Sequence, residues 1–126
     1  MKKLFVSVPM KGRTEEEIKE SINKMHRIAE AYEGEELELI DSYVVETPPA
    51  ECNTGAWYLS KSIEKLSMAD IFIGVSDTTV WPGCQIETNV ARTYNIKNYL
   101  IDSNIIVDYK AMVARAFQAA TYNAIN

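Results

Sequence analysis

The sequence predicts a single α/β domain: three layers, α/β/α, around a parallel sheet of four or five strands in the flavodoxin-like, Rossmann-like order 2-1-3-4-5. Three observations carry that prediction. The 126 residues suit one domain and leave no spare length for a second. β-rich runs alternate with helical stripes along the chain, the pattern of right-handed βαβ units. The most continuously apolar run, "DIFIGV" (70–75), lies in mid-chain, as expected of a central strand covered on both faces.

"KLFVSVP" (3–9) is a short β-rich run that ends at a proline and reads as the first strand. "MKGR" (10–13) is a loop with a glycine and two cations. Thr14 opens the first helix as N-cap, with Glu17 completing a capping box. Ile18, Ile22, Met25, Ala29 and Tyr32 form its apolar stripe, and Gly34 stops it. "LELIDSY" (37–43) is a second strand, followed by a long loop (44–55) with Pro48-Pro49 near its centre. The second helix spans 56–68, with Leu59, Ile63 and Leu66 on one face. After the central strand, a loop from Ser76 to Gly83 leads into a helix striped by Ile86, Val90 and Tyr94. "NYLID" (98–102) is a fourth strand, and "IIVDY" (105–109) is either a short fifth strand or a lead-in. Tyr109, Met112, Val113, Ala116, Phe117 and Ala120 mark a closing helix over about 109–123.

Composition narrows the class. Hydrophobic residues make up 47% and charged residues 25%, ordinary values for a globular chain. A net charge of -5 disfavours binding to a nucleic-acid polymer or an anionic membrane, while leaving small anions open. Two cysteines, Cys52 and Cys84, leave room for one disulfide but make no secreted disulfide framework. No ligand spacing suggests a metal site, and no cofactor is expected. The basic lead "MKK" is followed by an apolar run of fewer than eight residues, and no long apolar segment follows. The chain therefore reads as cytoplasmic.

In such folds ligands bind beyond the carboxyl ends of the strands. Three loops should meet there: 9–13, 44–55 and 76–83. The first offers Pro9, Met10, Lys11, Gly12 and Arg13 beside a helix N-terminus, either as a phosphate site or as a solvated turn whose cations balance Glu15, Glu16 and Glu17. The walker-type spacing of a P-loop is missing. Glu87 follows Gly83 at the start of the third helix. Its bland reading is a first-turn acid meeting the helix dipole. Its functional reading rests on position, behind the central strand and a glycine that permits close approach to the backbone. Asp77 either binds a hydroxyl or caps its turn. Of Trp57 and Tyr58, only one need face a pocket. His26 reads as structural, and neither cysteine has a base nearby in sequence.

Three segments in this order, "FVSVPMKG", "MADIFIGV" and "PGCQIE", resemble the nucleoside 2-deoxyribosyltransferase superfamily, including the 2′-deoxynucleoside 5′-phosphate N-hydrolases and small bacterial and phage relatives. The likeness covers roughly residues 3–102. It implies that Glu87 attacks C1′ of a deoxyribose and displaces the base, the logic of a retaining glycosidase. It also implies that Lys11 and Arg13 lie near the sugar or its 5′-phosphate, with helix two, and so Tyr58 and Ser62, along the sugar's other edge. Asp77, Trp81 and Gly83 complete the expected contacts. The relatives are oligomeric, which implies a homodimer or larger symmetric homo-oligomer here, with Phe117, Tyr109 or Tyr122 as the exposed apolar candidates. Departures from the pattern are Phe5 in place of a tyrosine, Ser62 in place of an aspartate, and Trp81 in place of a transferase aspartate. They leave two readings: an N-glycosidase or deoxyribosyltransferase, and a non-catalytic module that senses or sequesters a nucleotide. A structural homo-oligomer with a vestigial cleft is a third.

Overall fold

Thr14 sets the first helix as its sequence requires. Its hydroxyl accepts from the Glu17 amide at 3.2 Å, and the Glu17 carboxylate accepts from the Thr14 amide at 2.8 Å. The computed structural model describes residues 1–125, with side chains through residue 120. In chain order the elements are β1 (Lys3–Val6), α1 (Glu15–Glu33), β2 (Glu38–Leu39), α2 (Thr54–Leu66), β3 (Ile71–Val75), α3 (Pro82–Thr93), β4 (Lys97–Ile101) and α4 (Tyr109–Ile125). A 3₁₀ turn over Ser103–Ile105 precedes α4, so the "IIVDY" segment is a lead-in and no fifth strand forms there. Gly34 ends α1 at φ 71°, a left-handed conformation that costs glycine little.

All four strands are parallel, in the order β2-β1-β3-β4. β1 lies beside β3, with Leu4 opposite Ile71 and Val6 opposite Ile73. Alternation along the strands divides the core. Leu4, Val6 and Val8 pack with Ile71, Ile73 and Val75 against Met25 and Ala29 of α1. Phe5 and Phe72 face the other way, onto Leu66 of α2 and Ala91 of α3, with their rings stacked at 5.9 Å. The α/β/α layering and the strand order are thus those the sequence predicts.

The expected second strand shortens to two paired residues. Ile40 still donates to Leu4 at 2.9 Å, and the chain then peels away. Lys65 holds the departing segment through the carbonyls of Asp41, at 2.8 Å, and Tyr43, at 2.5 Å. Helix α2 starts two residues earlier than expected because the Asn53 side chain caps it, accepting from Ala56 at 2.9 Å. No helix among the described residues is long and apolar enough to cross a membrane.

Candidate functional site

Ser7 follows the last paired residue of β1 and points to the α2/α3 side, as the alternation after Phe5 demands. It is buried, and its amide still donates to Ile73 at 2.8 Å. Gly74 beside it carries no side chain, and a Cβ there would meet Phe72 at 2.8 Å and Ser7 at 3.5 Å. The floor of the α2/α3 groove is therefore closely packed. Ser62 stands one turn before Leu66 on α2, on the face turned to the sheet. From α3, Cys84, Thr88 and Ala91 face the sheet.

These elements converge on Glu87. The Ser7 hydroxyl donates to Oε1 of Glu87 at 2.7 Å, and the Ser62 hydroxyl donates to Oε2. One donor comes from the residue after β1 and the other from α2, so the carboxylate on α3 is fixed at both oxygens. Burial pushes the Glu87 carboxyl above the usual range, and the bonds from Ser62 and Ser7 oppose that rise. No Lys, Arg or His pairs with Glu87 among the described residues. Burial pushes the Cys84 thiol up to about 11, which leaves it a neutral neighbour rather than a thiolate nucleophile.

The geometry removes the helix-dipole account of Glu87. With Pro82 as the first helical residue, the first turn of α3 holds no acid, and Glu87 lies in the second turn. The dipole effect fades beyond the first turn, and this side chain reaches across to Ser7 and Ser62 instead.

The first and third loops do meet. Trp81, 3% exposed, donates its indole N–H to the Lys11 carbonyl at 3.2 Å and packs with Cys84, Val107 and Tyr109. That makes Trp81 a rivet between the two loops, its indole N–H committed to the Lys11 carbonyl. Arg13 is engaged within the fold. Its guanidinium donates to the Pro9 carbonyl (2.9 Å), the Ser21 hydroxyl (2.6 Å) and the Ile106 carbonyl (2.9 Å), on the α1 side of the sheet. It is not brought to Glu87. Pro9 is fully buried, and Gly12 adopts φ 82°, where an added Cβ would meet the Met112 side chain of α4 at 3.5 Å. Asp77 caps its own loop, accepting from the Thr79 amide at 3.2 Å and hydroxyl at 2.9 Å. Met10 and Lys11 are exposed, and Lys11 forms no ion pair among the described residues. Gly83 has open space where a Cβ would sit. Tyr58 lies one turn before Ser62 on α2, half-exposed, with its ring set edge-on to Trp57 at 5.1 Å.

Ser7 is the site residue that sequence reasoning missed. Its signal was a lone polar residue inside "FVSVP", on the same face as Phe5 and at the ligand-binding end of the strand. Two depressions in the surface, of about 290 and 220 Å³, lie elsewhere. The first is lined by Arg13, Ser21 and Lys24, the second by Lys61, Lys65 and Met68, and neither includes Glu87. Compared with family models, curated proteins and solved structures, the chain matches none.

Proposed function

We propose that the chain is a nucleoside 2-deoxyribosyltransferase-like protein that binds a nucleoside or nucleotide over the α2/α3 groove and cleaves or transfers its N-glycosidic bond. The observation that carries this reading is Glu87, partly buried at the carboxyl end of a parallel sheet and aligned by a hydroxyl on each oxygen. A carboxylate so held suits attack on a sugar carbon. Its oxygen bonds to C1′ as the C1′–N bond breaks. The bonding pair leaves with the base nitrogen, which takes a proton from water. Water or another base then attacks C1′ and returns the carboxylate. Ser7 and Ser62 hold Glu87 where the relatives use a tyrosine and an aspartate. Lys11, exposed in the first loop, meets a 5′-phosphate, and Tyr58 lines the side of the sugar or base. The protein works as a symmetric homo-oligomer on a small molecule, with neither nucleic acid nor membrane as partner.

One observation favours the non-catalytic reading. Among the described residues, no second carboxyl or histidine shares the hydrogen-bond network of Glu87 to protonate a leaving base. The two readings separate in one experiment. Incubated with a panel of deoxynucleosides and their monophosphates, the wild type should release free base slowly, and Glu87→Gln should lose nearly all of that turnover while still binding. Turnover should rise with pH through the Glu87 ionisation, because only the ionised form attacks. Binding without any base release transfers the protein to the sensing or sequestering class.

A further inference from the structure

Between β2 and α2 the segment 41–52 forms no helix or strand, and none of its residues is buried. Among the described residues, only two hydrogen bonds tie it to the rest of the fold. Both come from one donor, the Lys65 ammonium of α2, on the carbonyls of Asp41 and Tyr43. None of Asp41, Glu46 and Glu51 forms an ion pair among the described residues. The segment also carries two costs in this position. Glu51 sits at φ 62°, a left-handed conformation that strains a residue with a Cβ. Tyr43 and Val45, 72% and 79% exposed, leave large apolar side chains in water. Glu46 of the segment forms one side of the depression of about 220 Å³, opposite Lys61, Glu64 and Lys65 of α2 and Met68 just beyond it.

We propose that residues 41–52 are a strap with a closed and an open position, and that Lys65 is its latch. The donor is an ammonium, so each bond to a carbonyl is stronger than one from a neutral amide. Both bonds share that single group, so they are made and lost together, and release is one step rather than gradual fraying. The strap swings between two fixed ends: Ile40, whose amide donates to Leu4, and Asn53, which caps α2. Opening relieves Glu51 and uncovers the flank of α2 at Lys61 and Glu64, together with the half-buried Cys52. The latch is independent of any reaction at Glu87.

Thiol labelling tests this, because the chain has two cysteines and only Cys52 belongs to the strap. Cys84 is buried, with its thiol pushed up to about 11, and stays silent while the fold is intact. With an aromatic disulfide reagent at neutral pH, Lys65→Met should react at Cys52 at least tenfold faster than the wild type. Lys65→Arg, which keeps a charged donor, should react at close to the wild-type rate. A glutamate-specific protease should cut Lys65→Met after Glu46 or Glu51 faster by a similar factor. Equal rates in the wild type and Lys65→Met overturn the latch. Faster labelling of Cys84 along with Cys52 overturns it too, since the whole fold is then loosened rather than the strap. The wild type gives a second test that needs no variant. After partial acetylation by a succinimidyl ester, brief thiol labelling should mark molecules acetylated at Lys65 in preference to those acetylated at Lys61. An even distribution of the Cys52 label overturns the inference.

Discussion

Glu87 occupies a place where its charged form is disfavoured by burial and only partly compensated by two hydroxyls. The linkage has a definite sign. A carboxyl whose folded-state pKa is raised weakens the fold above that value, because the unfolded chain ionises more easily. Below the unfolded-state value both forms are protonated and the penalty vanishes. Glu87→Gln should therefore raise stability by about 1 kcal/mol at neutral pH, the usual scale of relieved functional strain, with the gain fading toward pH 4. The amide keeps both contacts, donating to one serine and accepting from the other. Denaturant unfolding of the two proteins across pH measures it. Loss of stability at pH 7 would mean that the carboxylate holds the fold together. Glu87 was singled out in the chain by its position and Ser62 by the resemblance, but the bonds that join them and the part of Ser7 were not legible. Ser7 and Ser62 lie 80 and 25 residues away from it, and only the strand pairing and helix placement bring them in.

At the scale of elements, the first loop is tied down from three sides. Arg13 binds it to α1 and to the segment before α4, and Trp81 joins it to the start of α3. Arg115 of α4 donates to the Gly12 carbonyl at 2.9 Å while pairing with Glu17 at 2.7 Å. Arg13→Ala takes the side-chain donor from the Pro9 carbonyl and leaves the Ile106 carbonyl with the Ser21 hydroxyl alone, and should cost about 1–3 kcal/mol of stability. It should leave unchanged any preference for nucleoside monophosphates over nucleosides, whereas Lys11→Ala should abolish that preference at little cost in stability. Calorimetry and thermal unfolding of both variants check this pair, and the opposite result would return Arg13 to the ligand. Local signals such as the Thr14–Glu17 capping box and the Gly34 stop were legible because their partners lie within a few residues. The role of Arg13 was not, since its partner Ile106 is 93 residues on.

At the scale of the molecule, α4 outgrows its support. Tyr109 and Met112 dock beside Trp81, and the Tyr109 hydroxyl bonds with Ser103 at 2.6 Å. Tyr109 is therefore part of the fold, not an exposed apolar candidate. Val113 is 64% exposed and Phe117 71% exposed, and residues 116–126 include no Asp, Glu, Lys or Arg. The expected Tyr122 contribution lies outside the described side chains. An uncharged helical extension carrying exposed apolar residues is marginal alone in water and gains by association. Sedimentation at micromolar concentration should give at least twice the chain mass, and Phe117→Glu should shift it toward one chain without unfolding. A wild type that sediments as one chain would remove the oligomer. The sheet order was legible in the alternation of runs, but the free length of α4 was not, because apolar periodicity alone does not say what a stripe will meet.

The indole of Trp81 has a consequence for watching this protein in solution. The chain has two tryptophans, and this one sits in the dark interior with its N–H on the Lys11 carbonyl, while Trp57 lies half-buried on α2 beside Tyr58 and Lys61. With Trp57 replaced by phenylalanine, the remaining emission comes from the joint between the two loops at the carboxyl end of the sheet. Its colour then reports whether that joint is dry or wetted, so opening of the first loop becomes an optical signal that needs no added label.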